Sequence, residues 1–439
     1  MRNVFLLPVI MTALAAPEVL AQETPPVRLT LEAAQARALE ASHRLAEARA
    51  REAAARAVVV ARQAADRPIV SAQAGYTRTN HVVEFTVPGP TGVPRVLYPD
   101  VPDNYRTRLD LQWPIYTGGR LDALERAAHA EAEAAAADVA VAQADLRLEV
   151  ARAFWAVVTA RAAAAVVEQG VQRAEAHLAD ARERFNAGLV PPSEVAFAEA
   201  QRARARMLLI ETGNQRDVSL ADLARLTGVD PRQPIEPVAE LALPSDILPI
   251  EALVTAAREG RDERRAMERR IDAANEQQQA FAAGRRPVIG IAGGVDYARP
   301  NPRIFPRADQ WQESWDIGVN VNWTLWDGGR AAADAAAAGS LAAAARRRLA
   351  EFDSALDVEV QQRTLEIGSG RAAVAAADET VRAITEARRV VTERYRAGVA
   401  TQTEVLDADF ALLQSELDRT RALAAIRLAE ARLSRAIGR

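Results

Sequence analysis

The stretch Trp315-Asp316-Ile317-Gly318-Val319-Asn320-Val321-Asn322-Trp323-Thr324-Leu325 alternates without interruption. Trp315, Ile317, Val319, Val321, Trp323 and Leu325 fall on one face, and Asp316, Gly318, Asn320, Asn322 and Thr324 on the other. A period of two predicts a strand, and roughly ten residues is the length that crosses a bilayer when tilted. Large apolar groups opposite small polar ones suit lipid on one side and water on the other. A half-buried sheet in a soluble protein would alternate in the same way, so the rest of the chain must decide. Weaker versions occur at Tyr105, Leu109, Leu111, Trp113 and Ile115, at Val70, Ala72, Ala74 and Tyr76, and at Ile289, Ile291, Val295 and Tyr297. The strands therefore come in two pairs, at about 69–116 and about 287–326. Pro88, Pro90, Pro94, Pro99 and Pro102 in one pair, and Pro300, Pro302 and Pro306 in the other, mark the linking segments as exposed loops.

The pairing reflects a repeat. At an offset of 210, Trp113 and Gly118-Gly119-Arg120 match Trp323 and Gly328-Gly329-Arg330. In the same register Arg184-Phe185, Ala187-Gly188 and Glu194-Val195 match Arg394-Tyr395, Ala397-Gly398 and Glu404-Val405. Upstream the offset is 219, pairing Arg67-Pro68 with Arg286-Pro287, so the first copy carries nine extra residues between Pro68 and Trp113. The chain reads as a first repeat over 22–228, a Pro-rich connector over 229–249 and a second repeat over 250–439. Each repeat is expected to run helix, two strands, long helix, turn and shorter helix. In the first, the helices are placed at about Thr30 to Asp66, Arg120 to Phe185 and Ser193 to Thr227. The middle one would be on the order of 100 Å long and the others roughly 50 Å, so two short helices stack along one long one.

Composition narrows the function. The 439 residues are 26% charged and only 5% aromatic, and every basic residue is arginine. Alanine-rich runs such as Ala123 to Arg152 favour long, closely packed helices. A net charge of −4 lacks the basic footprint of a nucleic-acid binder. There is no cysteine, and His43, His81, His129 and His177 are scattered, so no thiol, zinc or histidine-cluster chemistry is expected. No phosphate-binding glycine loop or paired acid and base is present, so no catalytic residue, cofactor or metal site is assigned. Arg2, the apolar run Val4 to Leu14 and Val19-Leu20-Ala21 order themselves as a signal peptide over 1–21, with a mature chain from Gln22. Four strands leave two open edges that lipid cannot solvate and are too few to close a barrel, so several copies would have to share one. Two, three or four copies would give eight, twelve or sixteen strands, and twelve or more can leave a water-filled lumen.

With its leader, its repeat, Trp113 to Arg120, Trp323 to Arg330, Arg184 to Val195 and Arg394 to Asp407, the chain resembles the TolC family of outer membrane efflux proteins over nearly all its mature length. The resemblance implies a mainly α fold with a membrane β-barrel contribution. It implies a homotrimer whose shared twelve-stranded barrel, four strands per chain, continues as a long α-helical barrel across the periplasm. It implies outer membrane localisation and an exit duct in a tripartite efflux or type I secretion system, served by a periplasmic adaptor (membrane fusion protein) and an inner-membrane RND or ABC transporter. The rival reading is a secreted periplasmic coiled-coil structural or adaptor protein, which would lack strand pairs at equivalent places in both halves.

Gly188 and Gly398 stand where long helices must stop, and glycine takes the left-handed cap conformation freely. The resemblance makes Phe185, Gly188, Leu189, Val190, Gly398 and Val399 adaptor-facing tip turns. It makes Glu404 and Asp407, three apart on one helical face, an acidic ring at the periplasmic entrance, with mutual repulsion raising some pKa values. It makes Tyr395 and Glu194 an entrance latch, weakened because relatives can carry a basic residue where Ala400 stands. Trp113, Trp323 and Trp326 are read as interfacial anchors against outer membrane lipid.

Overall fold

The computed structural model of the chain describes residues 26–90, 92–230, 232–239, 241–243 and 248–439; the expected signal peptide lies outside them. The chain opens with strand β1 (Val27–Leu29), then helices α1 (Leu31–Ala41) and α2 (His43–Gln63) and strand β2 (Ile69–Arg78). The short strands β3 (Phe85–Pro88) and β4 (Pro94–Tyr98) precede the long strand β5 (Asp103–Tyr116). Helices α3 (Arg120–Asn186) and α4 (Pro192–Thr227) come next, then β6 (Ile235–Pro237). The second half repeats the plan with α5 (Ile250–Gly260), α6 (Asp262–Ala282), β7 (Val288–Arg299), β8 (Gln312–Asn322), α7 (Arg330–Arg396) and α8 (Gln402–Ala436).

Helices α3 and α7 each have 67 residues, which at 1.5 Å per residue is about 100 Å. Along α3 the shorter helices lie end to end. Gln63 at the end of α2 bonds Glu125 near the start of α3 at 3.0 Å, Gln35 of α1 reaches the Arg147 carbonyl at 3.1 Å, and Ala198 of α4 packs on Leu178 and Ala181. The first expected helix is broken at Ser42, whose extended backbone ends α1 and whose hydroxyl accepts from Leu45 N at 3.2 Å to start α2. The second repeat breaks at the same place, at Arg261, without a side-chain cap.

Two apolar cores repeat the same pattern. In the first half, Leu146, Val150 and Val157 meet Ala34, Ala38 and Leu223; in the second, Leu356, Val360 and Ile367 meet Leu253, Ala257 and Leu433. Only the first adds Phe154 and Trp155, set edge to face at 5.5 Å, and a parallel pairing of β1 with β6. That pairing fastens the described part of the Pro-rich connector to the start of the chain.

The long strands form one antiparallel sheet in the order β2-β5-β7-β8. The register sets Leu109 opposite Val295 and Val295 opposite Trp315, so the alternating residues share one face as the sequence predicts. Trp315, Ile317, Val319 and Val321 are between 64% and 73% exposed on it. Two expectations need correction. Strand β8 ends at Asn322, leaving Trp323 and Leu325 beyond it, and the first linking loop contains the β3–β4 hairpin, whose strands run from Phe85 to a terminal Pro88 and from an initial Pro94.

Candidate functional site

Both helical reversals use the same backbone device. Gly188 and Gly398 have φ of 72° and 75°, and the following amides bond back across the turn, Leu189 N to the Arg184 carbonyl and Val399 N to the Arg394 carbonyl, both at 2.9 Å. The turns leave Phe185, Gly188, Leu189, Gly398 and Val399 exposed and Val190 half-buried at the hairpin ends. The returning helices begin differently. Helix α4 starts at Pro191-Pro192 with no side-chain cap, whereas α8 starts with a capping box. There Thr401 Oγ1 accepts from Glu404 N at 3.3 Å, while Glu404 Oε1 accepts from Thr401 N and from its hydroxyl, each at 3.1 Å.

Those bonds from the Thr401 backbone and hydroxyl hold the Glu404 carboxyl below the usual glutamate range. Within the chain the direction is opposite to the rise expected from a carboxylate ring. Glu404 and Asp407 are both exposed.

Tyr395 lies under the Arg184 guanidinium, 4.5 Å from its ring centroid, and Arg184 Nε pairs with Asp180 at 3.0 Å. Its hydroxyl is buried without a hydrogen-bond partner among the described residues, and burial pushes its pKa up. No hydrogen bond links Tyr395 to Glu194 among the described residues. The hydrogen-bonded cross-hairpin ties lie further in. His177 Nε2 of α3 meets Asp409 Oδ2 of α8 at 2.5 Å, Arg388 Nε of α7 donates to the other Asp409 oxygen, and Arg173 Nη2 of α3 reaches Glu416 of α8 at 3.5 Å. Burial raises the Asp409 pKa, but the bonds from His177 and Arg388 outweigh it and hold the group below the usual aspartate range. His177, Asp407 and Asp409, with Phe410, line a cavity of about 390 Å³ between α3, α4 and α8.

At the other end, the strand-to-helix junctions are also built twice. Trp113 Nε1 donates to the Asp66 carbonyl at 3.0 Å and Trp323 Nε1 to the Arg285 carbonyl at 3.1 Å, each tying a strand end to the turn after the preceding helix. Trp326 makes no such bond among the described residues and is largely exposed. The Gly118-Gly119 and Gly328-Gly329 pairs all have positive φ. Gly118 is packed so closely that an added Cβ would meet Arg286 Cβ at 2.5 Å, and Arg286 Nη1 bonds the Gly118 carbonyl at 2.8 Å. Gly328, its equivalent, has nothing within 4 Å of such a Cβ. It lies at the β8 edge of the sheet, where within this chain no further strand is paired.

Paired helical hairpins tens of ångströms long thus run on from an amphipathic four-stranded sheet whose edges are unpaired among the described residues. The model of the outer membrane efflux protein family matches residues 35–229 and 253–439, and the chain belongs to that family. It is accordingly an outer membrane protein whose helical part lies in the periplasm. Protein CyaE of Bordetella pertussis is 32% identical over 125 residues, a stretch that covers 28% of this chain and about a quarter, 26%, of that relative. A membrane protein from Pseudomonas aeruginosa has a similar fold, with a TM-score of 0.78 at 22% identity over 93% of both chains. The outer membrane protein VceC of Vibrio cholerae gives 0.77 at 21% identity over 93% of this chain and 96% of its own. The CmeC outer membrane channel of Campylobacter jejuni gives 0.78 at 15% identity over 93% and 85%.

Proposed function

We propose that three copies close their sheets into one twelve-stranded barrel and their helices into a periplasmic tunnel, forming an exit duct for an inner-membrane RND or ABC transporter. The observation that carries this reading is the four-stranded sheet with an exposed apolar face and two unpaired edges. Unpaired edge amides and carbonyls cannot remain in hydrocarbon, and closure by identical neighbours satisfies them. A secreted coiled-coil protein would have no use for such a face. The tip turns would meet the periplasmic adaptor, and Glu404 and Asp407 would ring the entrance. The entrance would be held shut by contacts between the hairpins, with Tyr395 and Glu194 as the latch and no basic side chain at Ala400 to reinforce it.

Purified protein tests the reading directly. It should fractionate with the outer membrane, require detergent and insert into planar bilayers as a unitary conductance. Freely soluble periplasmic protein without conductance would overturn it.

A further inference from the structure

The inner face of the sheet is not open along its whole height. At the end away from the helices, Asp296 of β7 is 0% exposed and Ala298 is 1% exposed, although a wall facing only water would leave them wet. Arg106 and Arg108 of β5 close over Asp296, Arg106 Nε at 2.6 Å, and the segment 300–307, whose Asn301 is itself 0% exposed, leaves β7 and folds back beside them across the inner face. Asn301 Nδ2 donates to the Gln312 carbonyl at 3.0 Å and to Ser314 Oγ at 3.1 Å, while its own carbonyl oxygen accepts from Arg303 N at 2.9 Å. Arg303 Nη2 pairs with Asp316 at 2.7 Å and its Nε faces Asp296 at 3.9 Å. At the far end of the segment, Arg307 bonds Asn104 at 3.2 Å, and its amide bonds the Leu97 carbonyl at 3.3 Å. Beneath lies a cavity of about 330 Å³ lined by Gln73, Thr77, Arg106, Arg108 and Arg307. The returning residue Trp311 stacks on Tyr297 of the outer face at 4.9 Å, so the linker straddles the rim.

We infer that the segment Pro300–Arg307 forms a constriction at the outer mouth of the pore, with Arg303 presented to the permeating solute. The inference rests on the duct reading, because three such segments converge only if three copies share one lumen. Along the polar face, Arg106, Arg108, Arg303 and Arg307 exceed Asp110, Asp296 and Asp316 by one charge per chain, which favours anionic solutes at this level. The clamp is centred on Asn301, a buried side chain whose amide nitrogen donates twice and whose carbonyl oxygen accepts, and a satisfied buried polar group holds a loop in one place far better than exposed contacts do.

The natural chain has no cysteine, so a single introduced thiol reports cleanly. Arg303→Cys, with Pro302→Cys as a second position, should be labelled from the outer side by a bulky thiosulfonate reagent, and the channel current should fall. Asn301→Ala should raise unitary conductance, and Arg303→Gln should shift the reversal potential in a salt gradient away from anion preference. Full labelling at both positions with unchanged current, or Asn301→Ala channels of wild-type conductance, would overturn the inference while leaving the duct reading intact. Wild-type protein that forms no channel would sink the duct reading and this inference together.

Discussion

Asp409 joins three helices through one carboxylate, accepting from His177 of α3 and Arg388 of α7 while carried on α8. Because its pKa is lowered in the folded chain, the tie contributes stability above the ordinary aspartate range, and that contribution is lost as pH falls through the depressed value. Asp409→Asn should cost about 1.5–3 kcal/mol at neutral pH, as for the loss of a charge-assisted hydrogen bond. Thermal unfolding in detergent checks it: the difference between wild type and variant should shrink below about pH 4, near the ordinary aspartate value. An undiminished gap in acid would contradict the assignment. Glu404 argues for a second test. If its carboxylate and that of Asp407 ring the entrance, Glu404→Ala with Asp407→Ala should relieve block by multivalent cations; unchanged block would confine Glu404 to its capping box. The capping box was open to reading in Thr401-Gln402-Thr403-Glu404, which fits the motif's spacing. The His177–Asp409 pair was not. Its members lie 232 residues apart, and only the rotational phase of α3 against α8 brings them together.

At the level of elements, the helical hairpins were legible because their signals are local. Alanine-rich composition, a glycine stop and a polar or proline start act within a few residues, and the observed ends fall within a residue of those expected. The breaks at Ser42 and Arg261 were less visible, since Ser42 lies in an otherwise continuous helical pattern and Arg261 carries no cap. The β3–β4 hairpin was hidden by its own prolines. Pro88 and Pro94 lie at strand ends, where a missing amide is tolerated, yet in sequence they read as loop breakers. The tip turns permit a clean experiment because no atom lies within 4 Å of a Cβ built on Gly188 or Gly398. Replacing either by Ala should therefore cost only backbone strain, about 1–2 kcal/mol. Hydrogen exchange at the hairpin ends would show it as faster opening confined to the substituted tip. Equal exchange in variant and wild type would mean that the left-handed conformation is not what holds the turn.

For the whole molecule, the repeat was the strongest sequence signal, because one register persists from Trp113 to Gly228 and from Trp323 to Gly438. It also carries information that a single chain does not display. Within the chain, β5 pairs with β7, so that Leu109 faces Val295. In the shared barrel proposed above, applying the repeat offsets to that pair would set Val319 of β8 opposite Tyr76 of a second copy. The same operation would set Arg67 of that second copy against Gly328, in the space that Arg286 fills at Gly118. The inward fold of segment 300–307, by contrast, depends on Asn301 and Arg303 meeting strand positions that no local pattern specifies. The most direct test of closure by identical neighbours is a Val319→Cys, Tyr76→Cys double variant, oxidised in membranes and run without reductant. These positions lie on opposite edge strands of one sheet, β8 and β2. A shared barrel predicts covalent dimers and trimers that vanish on reduction and are missing from either single variant at the same level, whereas protein that stays monomeric after complete oxidation would contradict it.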